Sequence, residues 1–193
     1  YYRDQAFCLG WGMTSRDHLL AFLAKEEDPS SGGRQMPQHY GHRELNIVSQ
    51  SSSTGTQFLQ AVGAGFALQR DGEKGVVYVS SGEGTSSQGD FHEALNWASR
   101  EKAPVIFHIE NNHFAISVPI KDQTAGGSVY KISAGYDNLA RFNVEGTDFF
   151  ETHLAFKKAV ERARKGKGPS LIQSDVVRLL PHSSSDDQRK YRS

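Results

Sequence analysis

The stretch "APVIFHIENN", residues 103–112, combines an apolar run of strand length with two adjacent asparagines. An apolar run of this length is typical of a strand in a parallel sheet that is covered on both faces. Asn111 and Asn112 follow at the end of the predicted strand. Ligands of open α/β sheets bind beyond the carboxyl ends of the strands, so these two amides are candidates for a binding site.

Predicted helices and strands alternate on both sides of this stretch. They are helices over 57–70 and 90–102, a helix that begins near Phe149 and ends at the GKGP sequence of 166–169, and strands over 75–81, 103–110, 141–146 and 170–180. Asp90 and Glu93 match an acidic capping box that would start the second helix at about Asp90. Gly63 and Gly65 in the first helix would let another backbone come close. The pattern predicts an α/β fold, a three-layer arrangement of a parallel sheet flanked by helices.

Length and composition limit the possible classes. A chain of 193 residues suits one domain spanning 1–193. Lys plus Arg and Asp plus Glu both number 22, which argues against a general affinity for nucleic acid or for a membrane surface. The single cysteine, Cys8, excludes an internal disulfide and favours a reducing compartment, so we expect a cytoplasmic protein and a buried thiol. The chain starts without Met and ends in a polar loop, which predicts truncation at both ends.

Two loops follow predicted strands and carry polar groups. In "SGEGTSSQGD" (81–90), Gly82 and Gly84 flank Glu83, so the backbone can approach a ligand while one carboxylate projects from the strand end. In "NNHFAIS" (111–117), Asn112 offers a neutral amide oxygen. Either motif alone is usually an ordinary turn. Together with a backbone carbonyl they form a set of hard oxygen ligands that suits Mg²⁺ bound to a diphosphate.

The spacing of the two motifs resembles a known fingerprint. Gly82-Glu83-Gly84, 26 residues with one helix and one strand, and then Asn111-Asn112 resemble the fingerprint of thiamine diphosphate enzymes. Further blocks resemble the α subunit of 2-oxo acid dehydrogenase complexes (their E1 component), nearest the branched-chain (2-oxoisovalerate) type. These blocks are "GRQMPQHYG" (33–41), "SSSTGTQ" (51–57), "GEGTSSQGDFHEALNWA" (82–98), "NNHFAISVP" (111–119), "VEGTDFF" (144–150) and "PHSSSDDQRKYRS" (181–193).

The resemblance implies a binding site for the cofactors thiamine diphosphate and Mg²⁺. Glu83, Asn112 and the backbone carbonyl of Phe114 would be the metal ligands. Arg3 would grip the diphosphate, which suits the fork of a guanidinium group. His182 would be catalytic, reaching the diphosphate and assisting acyl transfer. The implied cofactor contacts are Tyr2, Arg3, Ser52, Thr54, Gly82, Glu83, Gly84, Asn112, Phe114, Ile116 and His182.

Some positions depart from the family pattern or allow another interpretation. Thr54 stands where the branched-chain enzymes have a larger apolar residue, and Glu110 stands where some members have a basic one. The serines at 183–185 match a loop that is phosphorylated in mitochondrial relatives, although a plain polar loop is favoured. His39 and His42 have a spacing that a zinc site could use, but no second pair of ligands accompanies them, so loop structure is favoured.

The resemblance also implies a reaction and partners. The reaction is oxidative decarboxylation of a branched-chain 2-oxo acid, with acyl transfer to the lipoyl group on the lipoyl domain of E2. A β chain, or a fused β domain, would supply the missing half of the site in an α₂β₂ heterotetramer or a dimer of fused chains. Exposed apolar surface would mark that interface. Two alternatives stay open: a pyruvate or acetoin dehydrogenase E1 α component, and a non-catalytic interaction module without cofactor.

Overall fold

The computed structural model describes residues 1–49 and 52–192. The chain divides into two compact units, Tyr1–Thr54 and Gly55–Ser193. The expectation of a single domain over 1–193 stays a prediction. None of the helices within the described ranges is both long and apolar enough to cross a membrane.

The first unit contains two short helices, α1 (Gln5–Trp11) and α2 (Ser15–Phe22), followed by turns. A capping box between Thr14 and Asp17 starts α2. The core of the unit consists of Cys8, Met13 and Tyr40, with Leu45 and Ile47 packed against them. Burial and, to a lesser extent, the Asp4 carboxylate raise the pKa of the Cys8 thiol to about 11, so this thiol stays protonated at neutral pH.

The second unit is an α/β structure around a parallel sheet. Its helices are α3 (Thr56–Arg70), α4 (Gly89–Glu101), α5 (Ile120–Gln123), α6 (Val129–Ile132) and α7 (Phe149–Arg164). Its strands are β1 (Val77–Gly82), β2 (Val105–Asn111), β3 (Phe114–Ala115), β4 (Val118–Pro119), β5 (Ala140–Glu145) and β6 (Ser170–Asp175). Single 3₁₀ turns lie at Glu83–Ser87, Ala125–Gly127, Ser133–Gly135 and Gln188–Lys190.

Four strands form the main sheet in the order β1-β2-β6-β5, and all the neighbouring pairs are parallel. Strands β3 and β4 form a separate antiparallel pair. In the main sheet Gly82 pairs with Glu110, and Glu110 pairs with Ser174. The carboxyl ends of three neighbouring strands therefore lie level at one edge, from which their loops depart together.

Apolar residues cover both faces of the sheet. One face packs against α3 and α4, where Phe58, Phe91 and Phe107 are fully buried. The other face packs against α7 through Ile106, Ile172 and Ala159. The alternation along β2 explains this division, because Phe107 and Ile106 point to opposite sides. The predicted three-layer arrangement of a parallel sheet flanked by helices is confirmed.

Two boundary predictions were wrong. The strand predicted over 170–180 ends at Asp175, because its neighbours β2 and β5 turn away from the sheet at Asn111 and Glu145. The predicted capping box at Asp90 is absent: α4 starts at Gly89, and its N-cap is Gln88 without a side-chain cap bond. A 3₁₀ turn leads directly into the helix, so Asp90 already lies in the first helical turn instead of the extended cap position.

Gly65 and Gly63 differ, although both were expected to permit close approach. A Cβ on Gly65 would lie 2.8 Å from the Val105 Cγ2 atom, whereas a Cβ on Gly63 would meet nothing within 4 Å. Of these two glycines, only Gly65 is therefore needed for the close contact of α3 with β2. The expectation for Gly63 was wrong, because this glycine faces open space.

These two glycines allow a matched test of helix packing. We expect Gly65→Ala to destabilise the protein by about 1 to 3 kcal/mol, since the new methyl group overpacks against Val105. Gly63→Ala should raise stability by up to about 1 kcal/mol, because alanine has the higher helix propensity. Urea unfolding of both variants measures the difference. Equal effects of the two substitutions would contradict the packing argument.

Candidate active site

The candidate site lies where β1 and β2 end. Glu83 immediately follows β1 and opens the 3₁₀ turn Glu83–Ser87, while Asn112 immediately follows β2. Because Gly82 and Glu110 are paired in the parallel ladder, the two turns leave the sheet side by side. Residues 29 positions apart in the chain thus become direct neighbours.

Glu83 and Asn112 are in contact through one carboxylate oxygen. The backbone N–H of Asn112 donates to Glu83 Oε2 at 3.1 Å, and the Asn112 side-chain amide, Nδ2, donates to the same oxygen at 3.2 Å. Glu83 is 1% exposed, although it carries an ionisable group. A buried carboxylate at the end of a strand, bonded to an amide from the next strand, is costly and therefore suggests a function.

The second carboxylate oxygen of Glu83 and the amide oxygen of Asn112 have no hydrogen-bond partner among the described residues. These atoms are Glu83 Oε1 and Asn112 Oδ1, and both are buried. A buried oxygen without a partner costs about 1 to 3 kcal/mol, so two of them on adjacent side chains need a common explanation. A divalent cation with a preference for hard oxygen ligands fits this pair, and Mg²⁺ takes few protein ligands of this type.

Phe114 lies two residues beyond Asn112, in the hairpin formed by β3 and β4. The backbone N–H of Phe114 partly offsets the rise in the pKa of the Glu83 carboxyl that burial causes, which places the hairpin beside the same carboxylate. A Cβ on Gly84 would lie 2.8 Å from the Ala115 Cβ atom, so the lack of a side chain at Gly84 lets the two turns pack together. The structure therefore brings Glu83, Gly84, Asn112 and Phe114 into one cluster.

Ile116 and His113 have unusual backbone conformations beside this cluster. Their φ angles are +57° and +68°, in the left-handed region that glycine normally occupies. Ile116 is β-branched, takes the first position of the two-residue β3–β4 turn, and is 53% exposed. Strain of this kind is concentrated at functional sites, and here it sets the direction in which the hairpin leaves Asn112.

Asn111 has a different role from Asn112. Its side chain is buried, and Nδ2 donates to Asp175 Oδ1 at 2.6 Å across to the end of β6. Its Oδ1 atom accepts from the backbone N–H of His113 at 3.1 Å. Asn111 therefore holds the strained backbone on one side of Asn112 and anchors it to the sheet. Asp175 also accepts from the Gln173 side chain at 3.3 Å.

Burial raises the pKa of the Glu83 carboxyl above its ordinary value. Desolvation is the largest cause, and hydrogen bonds from the backbone of Glu83 itself and of Asn112 oppose it only in part. A raised pKa means that the folded protein holds a proton at Glu83 more tightly than the unfolded chain does. The contribution of Glu83 to stability is therefore present at low pH and is lost as the pH rises through the raised pKa.

The loop that carries His182 reaches the same cluster. The ring of Tyr191 lies 5.7 Å from the ring of Phe114, measured between centroids. The Tyr191 hydroxyl donates to Asp186, which also accepts from the backbone N–H of His182 at 2.7 Å. These contacts fasten the His182 loop beside Phe114.

Arg178 also stabilises the His182 loop. It is 5% exposed, and its Nη2 atom donates to the Tyr191 hydroxyl at 2.7 Å. Arg192 closes the loop by donating to the backbone carbonyl of Arg178 at 2.7 Å, and its guanidinium group lies over the Phe114 ring. The hydrogen bonds from Tyr191 and from the His182 backbone lower the pKa of Asp186, which therefore stays ionised.

Four predicted cofactor residues belong to the first unit, and their role stays a prediction. The guanidinium carbon of Arg3 lies 5.2 Å from the centroid of the Tyr2 ring. Ser52 Oγ lies 3.0 Å from the ring nitrogen Nε2 of His39, and Thr54 is exposed. Ser51, the first residue of the "SSSTGTQ" block, lies outside the described residues.

Sequence reasoning missed the residues that support the cluster, namely Asp175, Arg178, Asp186 and Tyr191. Asp175 and Arg178 fall within the strand predicted over 170–180. Asp186 and Tyr191 lie in the "PHSSSDDQRKYRS" block, where only His182 and the serines match recognised features of the family. Their contacts join residues of different loops, so no short spacing in the sequence indicates them.

The profile of the family described as dehydrogenase E1 component matches residues 1–193. The chain belongs to the dehydrogenase E1 component family. The resemblance inferred from the motifs is confirmed, and within this family the cluster at Glu83 and Asn112 is the natural candidate for an active site.

Curated relatives are similar to the chain over most or all of its length. The 2-oxoisovalerate dehydrogenase subunit alpha of Bacillus subtilis is 46% identical over 100% of this chain and 58% of its own length. The protein of that name from Pseudomonas aeruginosa is 37% identical, over 99% of this chain and 46% of its own length. The mitochondrial 2-oxoisovalerate dehydrogenase subunit alpha of Dictyostelium discoideum is 36% identical, over 100% of this chain and 43% of its own length. The chain spans about half the length of these relatives.

A solved structure supports the fold. An X-ray structure of a Mycobacterium smegmatis protein assigned to the thiamin diphosphate-dependent enzymes superposes with a TM-score of 0.53. The match covers 68% of this chain and 24% of that chain, at 24% sequence identity. At this identity the similarity establishes the shared fold alone.

The raised pKa of Glu83 leads to a test on the cation-free protein. Above about pH 7, we expect Glu83→Gln to be more stable than the wild type by on the order of 1 kcal/mol, because the variant buries no charge. The difference should shrink toward about pH 4, where the wild-type carboxyl is also neutral. Urea unfolding across this pH range measures it.

Glu93→Gln, on the exposed side of α4, is the matched control and should show no such trend. A Glu83→Gln variant that is less stable than the wild type at neutral pH and equally so at low pH would contradict the argument.

Proposed function

We propose that this chain is the α part of a branched-chain 2-oxo acid dehydrogenase E1 component. In this proposal the protein oxidatively decarboxylates a 2-oxo acid and passes the acyl group to the lipoyl domain of E2. The observation that carries the proposal is that buried oxygens of Glu83 and Asn112 lack a hydrogen-bond partner among the described residues, in a chain of the E1 family. The names of the relatives support the branched-chain type.

The cation in this proposal is Mg²⁺, held by Glu83, Asn112 and the backbone carbonyl of Phe114. Diphosphate oxygens and water would complete its coordination. Ionisation of Glu83 would accompany cation binding, because a positive charge at Oε1 offsets the desolvation that raises its pKa. The two oxygens would thereby become ligands of the cation without a change in the backbone.

Thiamine diphosphate is the proposed organic cofactor. When bound, it supplies a carbanion and an electron sink for the loss of CO₂. Arg3 would hold the diphosphate by a bidentate contact. Tyr2, Ser52, Thr54, Gly82, Gly84 and Ile116 would line the remainder of the cofactor site. Glu83 and Asn112 would orient the diphosphate through the cation.

His182 is the proposed catalytic residue of this chain. Its loop is fastened beside Phe114 through Tyr191 and Asp186, and Asp186 accepts from the backbone N–H of His182. These contacts hold the backbone of His182 beside the cluster. We assign the imidazole contact with the diphosphate and assistance in acyl transfer.

A β chain, or a fused β domain, is the proposed partner. Three apolar side chains at the start of α7 are exposed: Phe149 at 72%, Phe150 at 75% and Leu154 at 52%. Such a cluster on one helix is unfavourable in water and is typical of an interaction surface. We assign it to the β interface of an α₂β₂ assembly in the cytoplasm. A non-catalytic interaction module would need such a surface too. Cofactor binding therefore distinguishes the module from the α part of a catalytic E1 component.

Calorimetry on the full-length α chain paired with its β partner tests cofactor binding. We expect saturable binding of thiamine diphosphate with Mg²⁺, at least about tenfold weaker in Asn112→Ala, because one side-chain ligand is lost. Asn96→Ala, an exposed position on α4, should bind like the wild type. Absence of saturable heat with the wild-type pair would favour the non-catalytic module.

Substrate preference separates the branched-chain type from the pyruvate or acetoin type. The same αβ pair should turn over 3-methyl-2-oxobutanoate with at least about a tenfold higher kcat/KM than pyruvate, because a pocket for the branched chain loses the burial of two methyl groups with pyruvate. Decarboxylation measured with an artificial electron acceptor reports on both substrates. A clear preference for pyruvate would refute the branched-chain assignment.

A further inference from the structure

Gln123, the last residue of α5, makes several contacts with the turn that carries Glu83. Its side-chain nitrogen, Nε2, donates to the backbone carbonyl of Gly84 at 3.1 Å and to the hydroxyl of Ser87. It also lies 3.5 Å from the backbone carbonyl of Glu83. All three acceptors belong to the 3₁₀ turn Glu83–Ser87, so one amide group bonds along the entire turn.

The position of Gln123 depends on the other turn of the site. The β3–β4 hairpin reverses the chain after Asn112, and the backbone N–H at Ile120 then donates to the carbonyl of His113 at 2.9 Å. This bond attaches the start of α5 to the segment next to Asn112. Gln123 lies one helical turn later and therefore links the Asn112 turn to the Glu83 turn.

The contacts of Gln123 differ in kind from those between Glu83 and Asn112. A bound cation would compete for the Glu83 carboxylate, which also accepts from the Asn112 side chain. Gln123 instead bonds backbone carbonyls and one serine hydroxyl, none of which the proposed cation uses. Its contacts can therefore persist unchanged whether or not a cation is present.

We propose that Gln123 is a positioning residue that holds the Glu83 turn against the Asn112 turn before a cation binds. The inference rests on the proposed function, in which Glu83 and Asn112 are cation ligands. Fixing the two turns in advance lowers the ordering cost of binding, because the ligands need not be brought together by the cation. The close contact of Gly84 with Ala115 keeps the turns packed, and Gln123 sets their register.

The chain offers a matched control at Gln69. Its Nε2 atom also donates to two backbone carbonyls, those of Glu101 at 3.3 Å and Lys102 at 3.0 Å. These acceptors lie at the C-terminal end of α4, whereas Glu83 precedes the start of that helix. Gln69→Ala thus removes the same kind of contact away from the candidate site.

The experiment uses the full-length α chain with its β partner and the variants Gln123→Ala, Gln123→Glu and Gln69→Ala. Gln123→Glu keeps the size of the side chain but removes both N–H donors, which provides a second variant if Gln123→Ala folds poorly. Hydrogen exchange of the backbone amides of residues 83–88 is measured without cation or cofactor. The dissociation constant of Mn²⁺ in the presence of thiamine diphosphate is measured by electron paramagnetic resonance.

Both Gln123 variants should exchange at residues 83–88 about tenfold faster than the wild type and bind Mn²⁺ about tenfold more weakly, the effect expected from losing two or three modest hydrogen bonds. Gln69→Ala should match the wild type in both measurements. Unchanged exchange in the Gln123 variants, or Mn²⁺ affinity equal to that of Gln69→Ala, would overturn the proposal.

A wild-type pair that binds no Mn²⁺ would refute the proposed function. The exchange comparison, which is made without cation, decides separately whether Gln123 holds the Glu83 turn.

Discussion

The parallel pairing of β1 with β2 is the constraint on which the site depends. It aligns the ends of the two strands, so the turns that follow must share one small region at the edge of the sheet. Glu83 is buried there against Asn112, and the apolar cores on both faces of the sheet hold the strands in that register. The stability of the sheet thus maintains an arrangement that burial of a carboxylate would otherwise oppose.

The two asparagines at the end of β2 have different roles. Asn112 directs its amide nitrogen at Glu83, and its amide oxygen has no hydrogen-bond partner in the part of the chain that the structure describes. Asn111 bonds to Asp175 and to the backbone of His113, so it stabilises the sharp change of direction. A single amide could not do both, because it has only one oxygen, and that of Asn111 already accepts from the backbone N–H of His113. This explains why two such residues follow an apolar strand.

The segment after β6 adds a second polar network to the same edge of the sheet. Buried Arg178 and the hydroxyl of Tyr191 position Asp186, and Asp186 fixes the backbone at His182. The Tyr191 ring also lies against Phe114, so the His182 loop and the β3–β4 hairpin support each other. Residues from three strand ends therefore form one continuous structure around the candidate site.

Local patterns in the sequence determined the three long helices of the second unit, the four strands of its main sheet, the polar residues at the strand ends and membership of the E1 family. Apolar periodicity reports burial along one element, and this information is local. The tertiary structure alone decided that β6 lies beside β2, that Asp175 meets Asn111, and that Gln123 returns to the Glu83 turn. Those contacts follow from strand order and from a hairpin of four paired residues, neither of which has a periodic signal.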